Sequence, residues 1–161
     1  MAIKFNKQEI DRAFLNELEQ FQNHVDEVVI YNLNYLGMQL MAYAKTHKTF
    51  VDRTGNLVNS IGYAVLKKGE ISVVNFEAET RGPEFKPGDD RGELVGENLV
   101  RSIAEQFPAD YTLVVVAGMN YASYVEDVHH LDVLNSSKVY APTVLPKVLS
   151  LIQNQLKNHR K

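Results

Sequence analysis

Between Lys7 and about Lys48 the chain carries no proline and a single glycine, Gly37. A run this long without a breaker reads as helix. Ile10, Phe14, Leu18, Phe21, Val25 and Val28 recur at spacings of three and four, which sets them on one helical face. Val29, Leu33, Leu36, Leu40 and Ala44 keep that spacing on a face rotated by roughly 100°. The buried side therefore changes near residues 25–29. A continuous helix over this stretch spans roughly 60 Å. A compact domain of 161 residues has a diameter of only about 40 Å. Either the helix breaks, near His24 or at Asn32–Asn34, or its first half projects and packs on a neighbouring subunit. Two ordinary helices are the plainer reading, with the projecting arm open beside it.

The next segment changes period. Ile61, Tyr63 and Val65 alternate with Gly62, Ala64 and Leu66, and Ile71–Ala78 resumes an apolar-rich strand after the turn Lys67-Lys68-Gly69-Glu70. This pattern predicts a β-hairpin. Its apolar phase slips between Val73 and Val74, where a bulge would fit. Residues 80–92, TRGPEFKPGDDRG, are too rich in Gly, Pro and charge for regular structure and predict an exposed, flexible loop. Leu94, Leu99, Ile103 and Phe107 suggest a helix stopped by Pro108. Tyr111–Ala117 reads as a third strand, and its unbroken LVVV run predicts a central position buried on both faces. A short turn or helix follows at Asn120–Asp127. Leu145, Val148, Leu149, Ile152 and Leu156 mark a closing amphipathic helix, with Pro142 and Pro146 expected in or before its first turn. The order predicts a single α+β domain, 1–161. It comprises a long N-terminal helix, broken or continuous, a small antiparallel sheet of at least three strands with helices on one face, and a C-terminal helix packed on that sheet.

Composition excludes several function classes. The chain has no cysteine, which removes disulfide stapling, thiolate catalysis and the usual structural zinc sites. A net charge of −3 argues against a surface built to track nucleic-acid phosphates or anionic lipid. The opening residues lack the apolar core of a signal peptide, and no window approaches a membrane span. A soluble protein made in a reducing cytoplasm is the expectation.

Few residues point to chemistry. Glu126-Asp127-Val128-His129-His130-Leu131-Asp132 offers imidazoles and carboxylates, so a metal-dependent hydrolase on this segment is one alternative. Adjacent histidines rarely converge on one ion, and a solvated loop is the plainer reading. Asp89-Asp90 lacks the ligand ladder of a calcium loop. No phosphate-cradling glycine motif occurs, and Ser60, Ser72, Ser102 and Ser123 lie in no nucleophile elbow. Lys45, His47, Lys48, Arg53, Lys67 and Lys68 form a basic patch that reads as solvated surface. No catalytic residue, metal site or cofactor is assigned, and no enzyme is expected. A plain α+β binding module is the other alternative.

Two stretches carry more information. Arg53-Thr54-Gly55-Asn56-Leu57-Val58-Asn59-Ser60-Ile61 follows the long helix, and Asn120-Tyr121-Ala122-Ser123-Tyr124-Val125-Glu126 follows the third strand. Thr54-Gly55 reads as a turn, with Gly free to adopt positive φ. Leu57 and Ile61 then feed the core. Tyr121, Tyr124 and Val125 share a helical face that would pack on the sheet, and Glu126 would cap a helix or pair with a cation. The order TGxLxxSI … YAxYVE, closed by Tyr140-Ala141-Pro142 … Leu145-Pro146-Lys147-Val148-Leu149, resembles the minor tail or neck proteins of long-tailed bacteriophages. These are tail-completion components near the head–tail junction. The resemblance covers about residues 30–158 and its motif positions are Thr54, Gly55, Leu57, Ser60, Ile61, Tyr121, Ala122, Tyr124, Val125 and Glu126.

That resemblance implies a structural virion protein, made in the bacterial host cytoplasm, acting by self-assembly. It implies a homo-oligomeric ring, contacts with other head–tail proteins, DNA passing nearby without specific recognition, and no membrane. The long helix and the loop residues Arg81, Glu84, Phe85, Lys86, Asp89, Asp90 and Arg91 are the candidate assembly contacts, the loop ordering as neighbours arrive.

Overall fold

The computed structural model describes residues 6–78 and 81–158. Helix α1 runs Lys7–His47 without interruption. The Asn6 side chain caps it, accepting from the Gln8 N–H at 3.1 Å. The break expected near His24 or Asn32–Asn34 does not occur. Asn32 Nδ2 donates to the Val28 carbonyl at 2.7 Å and to Gln155 Oε1 at 2.6 Å. Asn34 Oδ1 accepts from the Tyr63 hydroxyl at 2.7 Å. Gln155 and Tyr63 hold these amides from outside the helix, and the back-bond of Asn32 to the Val28 carbonyl is accommodated without a break. The helix overshoots the domain as its length requires, and residues 6–23 are all exposed.

A one-turn helix, α2 (Asn56–Asn59), leads into the hairpin of β1 (Ile61–Lys67) and β2 (Glu70–Asn75). Helix α3 (Gly92–Ile103) runs into a 3₁₀ turn at Ala104–Gln106, and β3 is Thr112–Ala117. The chain closes with α4 (Ala122–Asp127) and α5 (Asn135–Asn158). The fold is α+β. The sheet order is β2-β1-β3 and both pairings are antiparallel, with Ile61 opposite Ala117 and Leu66 opposite Thr112. Val65 pairs with Val73 and Leu66 with Ile71, so the register slips at Ser72, just before the expected place.

Three sequence expectations need correction. The central strand is β1, not β3, which lies at an edge. The apolar LVVV run reflects cover on both faces: Leu113 and Val115 pack with the α1 and α5 core, Val114 and Val116 with α3. Helices therefore flank both faces of the sheet rather than one. Finally, α5 starts earlier than expected and holds Pro142 and Pro146 in its interior. Each proline removes a helical hydrogen bond. Both rings lie on the exposed side, while Tyr140, Ala141, Val144 and Val148 pack inward around Leu36 and Leu40. That packing and the Ser137 hydroxyl, which donates to the Leu40 carbonyl at 2.6 Å, hold the helix through the prolines.

Candidate functional site

The two motif stretches meet in space. Asp52 organises the first: Oδ1 accepts from the Gly55 N–H at 2.8 Å and Oδ2 from the Val58 N–H at 2.6 Å. Gly55 sits at φ 80°, where an L side chain is strained. Thr54 Oγ1 accepts from the Asn56 N–H at 3.2 Å, completing the turn into α2. Leu57 and Ile61 are buried in the core.

Ser60 fastens this corner to the second stretch. Its hydroxyl donates to the Leu57 carbonyl at 2.8 Å and accepts from the Met119 N–H at 3.3 Å. Its carbonyl accepts from the Gly118 N–H at 3.0 Å. Tyr121 lies beside Asp52 and Thr54, and burial together with the Asp52 charge pushes its phenol above the usual range. Ala122 and Val125 pack on the core, as the helical spacing allows. Tyr124 does not: it is 54% exposed and sets its ring edge against His129. A cleft of about 640 Å³ separates Phe50–Leu57 from Tyr121 and Leu131, with Glu84 on its rim.

Glu126 caps a helix. Its Oε1 accepts from the Leu134 and Asn135 N–H groups at 3.2 and 2.6 Å, at the start of α5. Asp132 Oδ1 accepts from the Ser136 N–H at 3.0 Å. Both carboxylates of the supposed metal segment thus serve the N-terminus of α5, where negative charge is favourable. Among the described residues, no group of three or more His, Asp or Glu is placed to hold a metal ion.

The loop after β2 forms no helix or strand over residues 81–91, and Gly92 already belongs to α3. Thr80 lies outside the described residues. The loop is tied down. Gly82 N–H donates to the Thr54 carbonyl at 2.9 Å and Glu84 N–H to the Arg53 carbonyl at 3.0 Å. Arg81 binds Glu93 Oε1 and stacks its guanidinium 4.9 Å from the Phe85 ring centre. Arg91 reaches the same Glu93 oxygen at 2.7 Å. Burial alone would raise the Glu93 pKa, but these guanidinium groups and a backbone N–H hold it down to about 2. Asp89 Oδ2 accepts from the Lys86 N–H at 2.8 Å. Of the candidate contact residues, Arg81, Phe85 and Asp89 are half-buried, whereas Glu84, Lys86, Asp90 and Arg91 remain exposed.

Two members of the basic patch are not free solvated surface, while His47, Arg53 and Lys68 stay exposed. Lys45 is buried and donates to the Glu77 carbonyl at 2.6 Å, and Lys67 pairs with Asp26. Asp26 further accepts from Tyr111 and from Gln22 Nε2, tying α1 to the hairpin and to the residue just before β3. Nothing in the sequence singles out this cluster, because Asp26, Lys67 and Tyr111 come from three stretches far apart in the chain.

The motif residues thus build a corner that orders backbone, and none is arranged as a nucleophile, base or ligand set. Residues 12–127 match the HK97-gp10-like family, described as "Bacteriophage HK97-gp10, putative tail-component". The chain belongs to this family. A phage tail component works in the virion through contacts with other phage proteins. No curated protein and no solved structure shows significant similarity to the chain. Among the described residues, no helix is long and apolar enough to cross a membrane.

Proposed function

We propose that the protein is a neck component at the head–tail junction, and that its copies form a closed ring around the DNA channel. One observation carries this reading: the exposed arm of α1, residues 7–23, presents Ile10, Phe14, Leu18 and Phe21 on one face, with Phe14 63% exposed. A contiguous exposed apolar stripe marks an interaction surface. A contact made by an arm on a different surface of the next copy is heterologous, and such contacts generate rings when the rotation closes. Glu84, Lys86, Asp90 and Arg91 on the loop face outward and are available to neighbouring head–tail proteins. The net charge of −3 suits a channel wall that DNA slides past, because strong phosphate contacts would hold it.

Light scattering and negative-stain images of the full chain test this, alone and mixed with the connector and tail proteins of the same phage. Rings are expected in one of these mixtures. Ile10→Asp combined with Phe14→Asp should abolish them without lowering Tm, since the two side chains are 52% and 63% exposed. A strict monomer with no affinity for any neighbour would overturn the reading.

A further inference from the structure

The arm needs a receiving surface, and the chain carries one that matches it. On α5, Tyr140, Val144 and Val148 face inward toward α1 and β3. A second apolar stripe lies on the outer side: Val139, Pro142, Leu145, Pro146 and Leu149, with Val139 67% and Leu149 49% exposed. At about 100° per residue these five positions fall within roughly 120° of the helix circumference. Among the described residues, no element covers these five, and all are exposed.

We propose that the outer face of α5 receives the α1 arm of a second copy of this chain. The inference rests on the ring reading above and names the contact that would build it. Length is one argument. Ile10 to Phe21 spans roughly 16 Å along the arm and Val139 to Leu149 roughly 15 Å along α5. Charge is another. Residues 7–23 hold Glu9, Asp11, Glu17 and Glu19 against Lys7 and Arg12, so the arm is acidic. Helix α5 carries Lys138, Lys147 and Lys157 and no acidic residue between Asn135 and Asn158. Asp11 and Glu17 flank the arm's apolar stripe on its two sides, the positions that select a partner helix by charge. Two arms packed on each other would instead set acid against acid. The contact is also heterologous, arm to α5, and leaves each open chain of copies with one free arm at one end and one free α5 face at the other until the ring closes.

The absence of cysteine makes the test direct. Phe14→Cys and Leu145→Cys are made separately in the full chain, mixed, and treated with a short bis-maleimide. The expected product is a dimer containing one of each, and the double variant should give a ladder. Lys138→Glu with Lys157→Glu should lower the yield several-fold, and Asp11→Lys with Glu17→Lys should restore it. Efficient linking of Phe14→Cys to itself would show arms paired with arms and overturn the proposal. So would oligomers by light scattering without any Phe14–Leu145 link, or a yield indifferent to charge reversal, and in those cases the ring reading stands. No oligomer under any condition would overturn both.

Discussion

The ring of Tyr63 fills the space that a β-carbon on Gly37 would need: its Cδ2 lies 2.2 Å from that position. The ring cannot move aside easily. Tyr63 is fully buried, and its hydroxyl donates to Asn34 Oδ1 at 2.7 Å, one turn back on the same helix. Helix α1 therefore meets the central strand by close backbone approach at Gly37 and a fixed hydroxyl at Asn34. These contacts anchor the half of α1 that belongs to the domain, and so aim the half that does not.

Gly37→Ala should accordingly destabilise the protein. In a free helix the change would gain about 1 kcal/mol. Here the overpacking against Tyr63 costs about 1–3 kcal/mol or more. A fall in Tm is expected by thermal unfolding, whereas Ala at exposed Met38 should be near neutral. A stabilised Gly37→Ala variant would contradict the close approach.

Asp52 holds the motif corner through two backbone N–H groups, and the Val58 side of that bond is buried. Asp52→Ala leaves both donors unpaired and should cost about 1–3 kcal/mol. Asp52→Asn keeps one acceptor oxygen and should lose less. Urea unfolding of the two variants measures the difference, and equal losses would mean that the carboxylate shape does not matter.

Much of this fold could be read from residue order alone. The apolar period gave the helical character of residues 7–47 but not the continuity of α1, the alternation gave the hairpin, and Thr54-Gly55 gave the turn at positive φ. What stayed hidden depends on distant partners. Asn32 reads as a weak helix residue until Gln155 appears beside it, and Asn34 until Tyr63 does. The LVVV run reports cover on two faces, which an edge strand between two helical layers receives as well as a central one. Pro142 and Pro146 argue for a late helix start, and only the caps from Glu126 and Asp132 and the packing on Leu36 and Leu40 explain the early one. At the motif corner, the core roles of Leu57 and Ile61 were legible, and for Glu126 capping was one of two roles left open. The Asp52 carboxylate was not, because no local pattern distinguishes it from a surface acid.

Glu126 ties α4 to the first turn of α5. Glu126→Ala should cost about 1–2 kcal/mol, in the range of a lost helix cap. Amide hydrogen exchange should quicken at residues 134–138 and stay unchanged in β1. Glu126→Gln retains an acceptor but loses the charge at the helix N-terminus, so it should fall between the two. Uniform exchange changes across the chain would point to a global role instead.

Acid should loosen the root of the arm. The Lys67 ammonium and the Tyr111 hydroxyl bind the Asp26 carboxylate and hold its pKa down to about 2, below the usual 3.8. A depressed folded-state pKa gives stability that is fully present above the ordinary value and is lost as pH falls through the folded one. The window is therefore about pH 4 down to pH 2. Glu93, also held at about 2, titrates in the same window, so the whole-protein curve alone does not isolate Asp26. Comparison with Asp26→Asn does. At pH 7 the variant should be less stable by about 1 kcal/mol, a figure kept small because solvent screens a partly exposed pair. The gap should narrow as pH falls from about 4 toward 2, where about half of the wild-type carboxylate is protonated in the folded state. Chemical denaturation at pH 7, 4, 3 and 2 measures it. A gap as wide at pH 2 as at pH 7 would assign the effect to packing of the Asp26 side chain rather than to its charge.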